Sequence, residues 1–266
     1  MMVSNAHSWR LSNPSGHSLL KLLNAERGIV CLVGAGGKKT LMSYLSSLHP
    51  GFVGITTTTH MRMIHNENIY VVVLDKNKAP TGNLSIKNTS RITGFVNNQR
   101  KINYYTGVDP ETVTRVYESA ELDLCLVKAD GARGRLIKST ADYEPVLPAY
   151  FHTFIPVVSV RATGRPLTEK IAHRPALISR ITGLEIGEII TPCHIAKLMT
   201  HPEGLLRGAG SAMVVPVITM VDDNKLLDDA SEIADIALGL TDRFDRVVLF
   251  SLKKSGLVAV VNRQPE

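Results

Sequence analysis

Short apolar, β-branched runs alternate with amphipathic stretches along most of this chain. Residues 29–33 (Ile-Val-Cys-Leu-Val), 52–56, 71–74, 122–129, 154–160, 214–221, 246–252 and 257–261 read as strands bounded by turn-forming residues. Between them, apolar residues recur at helical spacing: Leu19, Leu20, Leu22 and Leu23; then Leu41, Met42, Leu45 and Leu48; then Ala176, Leu177, Ile178 and Ile181; then residues 226–240. Two helix starts are well marked. Asp109-Pro110-Glu111 puts an acidic cap before a proline at the first helical position, predicting a helix to about residue 121, and Thr191-Pro192 opens another through residue 199.

Strands that alternate with helices predict an α/β protein of three layers, with a mainly parallel sheet and the first strand central. Residues 1–28 read as a lead-in with a short helix, and 29–266 as a single domain. The pattern changes from 75 to 108, where Gly82, Asn83, Ser85, Asn88 and Thr89 punctuate short strand-like pieces at 92–96 and 102–105. That text predicts a β-meander or hairpin inserted into the domain.

Composition narrows the class. The 266 residues are 44% hydrophobic and 20% charged, enough to bury a substantial core. The net charge of +6 is spread along the chain, with small clusters at Arg133-Gly134-Arg135 and Lys253-Lys254. Aromatics are 5% and are not interleaved with the basic residues, so the expected partner is an anionic small molecule and not nucleic acid. No apolar run approaches the length of a membrane span and the first residues do not read as a signal peptide, so no membrane partner and a cytoplasmic location are expected. Cys31, Cys125 and Cys193 lack C-x-x-C spacing and read as reduced cysteines, two of them within strand-like runs.

The candidate chemistry gathers at strand ends. After the first strand comes Gly34-Ala35-Gly36-Gly37-Lys38-Lys39-Thr40, a glycine turn entering a helix. Glycines let backbone amides approach an anion, the helix start adds partial positive charge and lysine adds a full one, so the turn predicts phosphate binding. It matches G-x-x-x-x-G-K-[ST] only in part: Leu32 stands where the first glycine belongs and Lys39 where the magnesium-binding hydroxyl belongs. The plainer reading is a turn that packs helix on strand. Thr56-Thr57-Thr58-Thr59-His60 follows the second strand, as ligand hydroxyls or as turn formers. Asp130-Gly131 follows a buried strand, where nucleotide-binding sheets place a metal- or water-organising carboxylate, although Asp-Gly also marks ordinary turns. His173-Arg174 opens a helix, either adding charge to a phosphate site or capping the helix, and Asp222 ends the strand of residues 214–221.

Val-Gly-Ala-Gly-Gly-Lys at 33–38, Thr-Thr-Thr-Thr-His-Met at 56–61, Ala-Asp-Gly-Ala-Arg-Gly at 129–134, Tyr-Glu-Pro-Val-Leu-Pro at 143–148 and His-Arg-Pro at 173–175 together resemble the YqeC-type selenium-dependent molybdenum hydroxylase accessory proteins. The resemblance implies a P-loop NTPase-like nucleotide-binding fold, ATP or GTP as ligand, and a partner among molybdenum hydroxylases or their cofactor-assembly proteins. By position, Gly34, Ala35, Gly36, Gly37, Lys38, Lys39 and Thr40 would hold phosphates, with Thr57, Thr58, Arg133, His173, Arg174 and Asp222 around them. Lys38 and Asp130 would act in catalysis, with Thr40 and Asp130 as the candidates for magnesium. Thr59, Lys138 and Glu144 would face the same site. Residues 217–222 and Ser251-Leu252-Lys253 resemble the base-reading segments of guanine-binding P-loop proteins, of whose first motif only Asp222 is kept. The family pattern carries a threonine where this chain has Lys39 and an acidic residue where it has Lys128. Both lysines add positive charge near the predicted site, which predicts phosphate binding with little dependence on magnesium and slow hydrolysis; the alternatives are that Lys39 points outward while Thr40 or a threonine of 56–59 takes the metal, or that Lys128 pairs with an acidic neighbour.

Overall fold

The computed structural model describes residues 16–62, 69–74, 90–101 and 104–263. Its first elements are α1 (Gly16–Leu22), β1 (Gly28–Gly34), α2 (Lys38–Leu48), β2 (Val53–Thr57), β3 (His60–Arg62), β4 (Ile69–Val73), β5 (Ile92–Val96), β6 (Gln99–Lys101) and β7 (Tyr104–Thr106). There follow α3 (Pro110–Ser119), β8 (Leu124–Lys128), β9 (Ile137–Lys138), β10 (Thr153–Ser159), β11 (Ala172–His173), α4 (Pro175–Thr182) and α5 (Pro192–Thr200). The chain closes with β12 (Met213–Val214), β13 (Val217–Thr219), α6 (Asn224–Leu240), β14 (Arg246–Ser251) and β15 (Gly256–Asn262).

The main sheet runs β15-β14-β13-β10-β1-β8-β2-β5-β4, with β12 also on β10. β1 is central, as its unbroken apolar text predicts, and pairs in parallel with β10 (Val30 opposite Thr153) and β8 (Ile29 opposite Cys125). Among the described residues of this sheet, only the edge pair β14–β15 is antiparallel. The two faces of β1 part by the period-two rule. Ile29, Cys31 and Val33 join Val113 and Val116 of α3, Ile178 of α4, Met199 of α5 and Ile233 of α6. Val30 and Leu32 join Leu19 and Leu20 of α1 and Leu41, Met42 and Leu45 of α2 on the other side. A sheet buried on both faces between helices is the three-layer α/β arrangement, and each such buried Leu or Ile stabilises it by roughly 1.5–3 kcal/mol.

Two expectations change. Residues 92–96 do not belong to an inserted meander: β5 lies in the main sheet, parallel to both β2 and β4. Its side chains are buried throughout, and that burial, not the polar text before it, decides its place. The antiparallel sheet is a smaller one, β3-β7-β6, with β6 and β7 from the end of the predicted region and β3 from before it; residues 75–89 and 102–103 of the predicted insertion lie outside the described residues. The single strand expected over 214–221 is two pieces flanking Val215-Pro216, because proline has no N–H to give the ladder. Asp109 caps α3 as expected, its Oδ1 accepting from the Thr112 amide at 2.8 Å. Because β1, β2, β8, β10 and β13 run in parallel, their following loops share one edge of the sheet.

Candidate functional site

The glycine turn is fixed by close approach. At Gly34 (φ +89°) an added Cβ would sit 2.2 Å from the Val157 carbonyl oxygen, and at Gly36 (φ +80°) 2.5 Å from that of Leu136. The turn is stitched to its neighbours: the Ala35 amide donates to Val157 O (2.8 Å), the Gly36 amide to Arg135 O (3.0 Å) and the Gly34 amide to Asp130 Oδ2 (2.8 Å). Gly34, Ala35 and Gly36 thus spend their amides within the protein. Leu41 is the first α2 residue whose amide finds a carbonyl, that of Gly37, so the amides of 38–40 are the donors a helix start leaves over. Anion-binding capacity here lies in the first turn of α2 more than in the loop before it.

Behind that turn lies a buried chain of charges. Lys38 Nζ donates to the Gly34 carbonyl and lies 2.8 Å from Asp130 Oδ1. Lys138 Nζ lies 2.9 Å from Asp130 Oδ2 and 2.7 Å from Glu144 Oε2, and donates to Gly131 O at 2.8 Å. Arg174 closes the chain at 2.6 Å from Glu144 and donates to Tyr143 Oη at 3.0 Å. Lys38, Asp130 and Lys138 are 4%, 0% and 0% exposed, so their charges meet one another and not water. Three cations face two carboxylates, an excess of one positive charge. Burial would raise the Asp130 carboxyl, but the Lys38 and Lys138 ammonium groups outweigh it and hold it below its ordinary value. Burial likewise works against Glu144, which Arg174 and Lys138 keep ionised. Burial lowers Lys38 despite Asp130. His173, beside Lys138 in the β9–β11 pair, is pushed down to about 4 by burial and by the charges of Arg174, Lys138 and Arg133, and is neutral at pH 7.

The other predicted residues take varied places. The Thr57 hydroxyl donates to Lys128 O (2.7 Å) and that of Thr58 to Val146 O (2.6 Å), long-range bonds that tie the end of β2 to neighbouring segments, and the Thr59 amide donates to Thr57 Oγ1 (3.1 Å) in a local turn contact. Lys128 reaches back to this tract, donating to Thr59 Oγ1 at 3.1 Å and His60 O at 3.0 Å; burial, then the Lys38 charge, lowers it to about 7. Lys39 and Thr40 are exposed on α2, and Lys39 feels the charge of Arg62. Arg133 is exposed in a left-handed turn. A magnesium ion fits this set poorly. Both Asp130 oxygens already face ammonium groups.

A cavity of about 240 Å³ opens beside the turn. Gly36, Gly37 and Thr40 contribute one part of its lining, Met220, Phe250 and Leu252 an apolar part, and Arg161, Asp222 and Lys253 a charged part. Thr219 joins it to the turn, its hydroxyl donating to the Gly36 carbonyl and to Val158 O (3.0 Å). Asp222 Oδ2 lies 2.5 Å from Arg161 Nη2 and 3.8 Å from Lys253 Nζ, and Oδ1 accepts from Ser251 Oγ at 2.6 Å. Arg161 and Phe250 were not singled out in the sequence, and Thr219 and Met220 entered only within the 217–222 segment that resembles a base-reading strand. The signal available was position, since each stands at the carboxyl end of a strand that feeds the same edge.

An α/β sheet with a lysine-bearing glycine turn and a buried charge cluster at its carboxyl edge defines the class. A model of the YqeC protein family matches residues 30–176, more than half of the chain, and the chain belongs to that family. It is 29% identical over 182 residues to the "Uncharacterized protein YqeC" of Escherichia coli (strain K12), a match that covers 67% of this chain and 70% of that protein. No solved structure matches.

Proposed function

We propose that this YqeC-family protein holds the phosphate groups of a nucleoside triphosphate, ATP or GTP, at the start of α2, and that it serves as a nucleotide-binding accessory factor in the maturation of selenium-dependent molybdenum hydroxylases. The observation that carries the binding step is Lys38, a nearly buried ammonium at the first position of α2, beside the spare amides of 38–40 and a cavity that reaches Gly36, Gly37 and Thr40. A phosphate there meets a helix start and oriented N–H donors, with the buried Lys38 charge behind them. The hydroxylase connection comes from the family resemblance alone.

The same geometry favours binding over rapid turnover. Asp130 is fully buried, accepts from the Gly34 amide and faces Lys38 and Lys138, so it is not placed to orient an attacking water. Its work is to preorganise Lys38. The reading is thus a P-loop-like binding site that reports or stabilises a liganded state, with slow hydrolysis and little need of magnesium.

Calorimetric titration of the full chain with ATP, GTP and inorganic tripolyphosphate, each with magnesium and with chelator, tests it. Binding is expected in both conditions and should raise the thermal midpoint. Lys38→Met, with the fold checked by circular dichroism, should weaken triphosphate binding by about 1.5–3 kcal/mol, the usual worth of a hydrogen bond to a charged group. Failure of all three ligands to bind would end the proposal.

A further inference from the structure

We infer that the cavity beside the glycine turn seats a guanine base, with Asp222 accepting from the base's ring N–H and exocyclic amino group. The inference rests on the phosphate reading above and adds to it the identity of the nucleoside. The cavity shares Gly36, Gly37 and Thr40 with the start of α2, so a group lying in it is continuous with a phosphate held there. Met220, Phe250 and Leu252 give it apolar surface for a flat ring; Leu252 is 55% exposed with that surface toward solvent.

The polar partner is built from segments far apart in sequence. The carboxylate of Asp222, after β13, is fixed by the hydroxyl of Ser251, at the end of β14, and by the guanidinium of Arg161, after β10. Burial works to raise this carboxyl, and the Ser251 hydroxyl with the Arg161 charge more than offsets it, so it is ionised at neutral pH. An ionised carboxylate has acceptor positions on both oxygens and no donor; Ser251 takes one on Oδ1 and Arg161 one on Oδ2, while Lys253 Nζ, 3.8 Å from Oδ2, lies beyond hydrogen-bond distance, which leaves one on each. What fits is an edge with two adjacent donors. Guanine presents N1–H beside its 2-amino group. Adenine and cytosine present an amino donor next to a ring-nitrogen lone pair, which the carboxylate repels, and uracil flanks its one N–H with two carbonyls. Selection by repulsion of the wrong edge is as effective as attraction of the right one. A surface ion pair of Asp222 with Arg161 and no ligand role predicts no base preference at all.

The experiment measures dissociation constants of the full chain for GTP, ATP, XTP and inorganic tripolyphosphate, in the wild type and in Asp222→Asn. The wild type should bind GTP about tenfold or more tighter than ATP or XTP, the change expected when one well-placed hydrogen bond is lost. An asparagine accepts one N–H and donates one, which suits the N1–H and 2-carbonyl of xanthine. The variant should therefore lose about tenfold for GTP and gain about as much for XTP, and a gain cannot come from misfolding. Equal binding of GTP and ATP, or a GTP preference that Asp222→Asn leaves intact, overturns the base assignment while tripolyphosphate binding keeps the phosphate site. If tripolyphosphate and every nucleotide fail to bind, both readings fall.

Discussion

Asp130 and Asp222 stand at the same edge of the same sheet, each just past a parallel strand, and the protein treats them in opposite ways. Asp130 is fully buried, with an ammonium group on each oxygen and a backbone amide besides. Asp222 is 11% exposed, held by a hydroxyl and by an arginine that is itself 44% exposed, and it lines an open cavity. A fully buried carboxylate that faces two buried ammonium groups fixes those cations in place. One with positions left over, facing a cavity, can accept from a ligand. The residue type tells nothing of this difference; the number and burial of the partners do. The family match through residue 176 takes in Lys38, Asp130, Lys138, Glu144 and Arg174 but stops short of Asp222 and Ser251.

The largest effect that separates the two is on stability. Asp130→Asn would strand Lys38 and Lys138 with reduced compensation in the interior and should cost about 3–5 kcal/mol. Asp222→Ala removes a partly exposed ion pair and the hydrogen bond from Ser251, and should cost about 1–2 kcal/mol. Urea unfolding at neutral pH, read from midpoints at constant slope, measures both. Similar costs would erase the contrast between a structural and a recognition carboxylate.

Much of the first region was legible from the sequence because its signals are local. An apolar run into Gly34-Ala35-Gly36-Gly37-Lys38 can only be a strand, a tight turn and a helix start, and Asp109-Pro110 announces α3 by the same short-range chemistry. Asp130, Lys138, Glu144 and Arg174 were each visible as candidates, but their union in one buried chain depends on β9 lying against β11, a pairing no local text encodes. Strand order was equally hidden: 92–96 is an apolar run after polar residues, and only its position between β2 and β4 makes it part of the main sheet. In the cavity region, residues 217–222 and 251–253 were legible as a base site only by resemblance, and Arg161 not at all, since it comes from a third strand end that tertiary pairing brings to Asp222.

Lys128 gives a smaller effect and tests the charge excess of the first region. The charged groups it feels are Lys38, Asp130, Lys138 and Glu144, and its amine donates to Thr59 and to the His60 carbonyl. Its folded pKa of about 7 lies below the 10.5 of the free side chain. Between those values the unfolded chain binds a proton that the native protein has released, so this group makes stability rise with pH from about 7 to 10.5; below 7 both states are protonated and the slope vanishes. Lys128→Met should remove up to about 1.4 kcal/mol per pH unit from that slope. Urea midpoints across pH 6 to 10 are the measurement, and an unchanged profile would mean that the amine is solvated well enough to titrate normally.

Ser251 carries the smallest expected change in stability and the sharpest probe of the second region. Its side chain is fully buried, its hydroxyl donates to Asp222 Oδ1 at 2.6 Å and accepts from the Lys254 amide at 3.2 Å, and no part of it is placed to meet a ligand directly. Ser251→Ala should cost about 0.5–1.5 kcal/mol, the net worth of a hydrogen bond. With the hydroxyl gone, Asp222 is held by Arg161 and Lys253 alone, both extensively exposed, and its carboxylate is free to turn toward them and away from the cavity. If Ser251 positions Asp222, discrimination between GTP and ATP falls severalfold while affinity for tripolyphosphate stays the same, because the start of α2 is untouched. Restoring a hydroxyl with Ser251→Thr should recover the discrimination if the added methyl is accommodated. A loss of stability with the base preference unmoved would leave Ser251 a merely structural residue and place the recognition of the base elsewhere in the cavity.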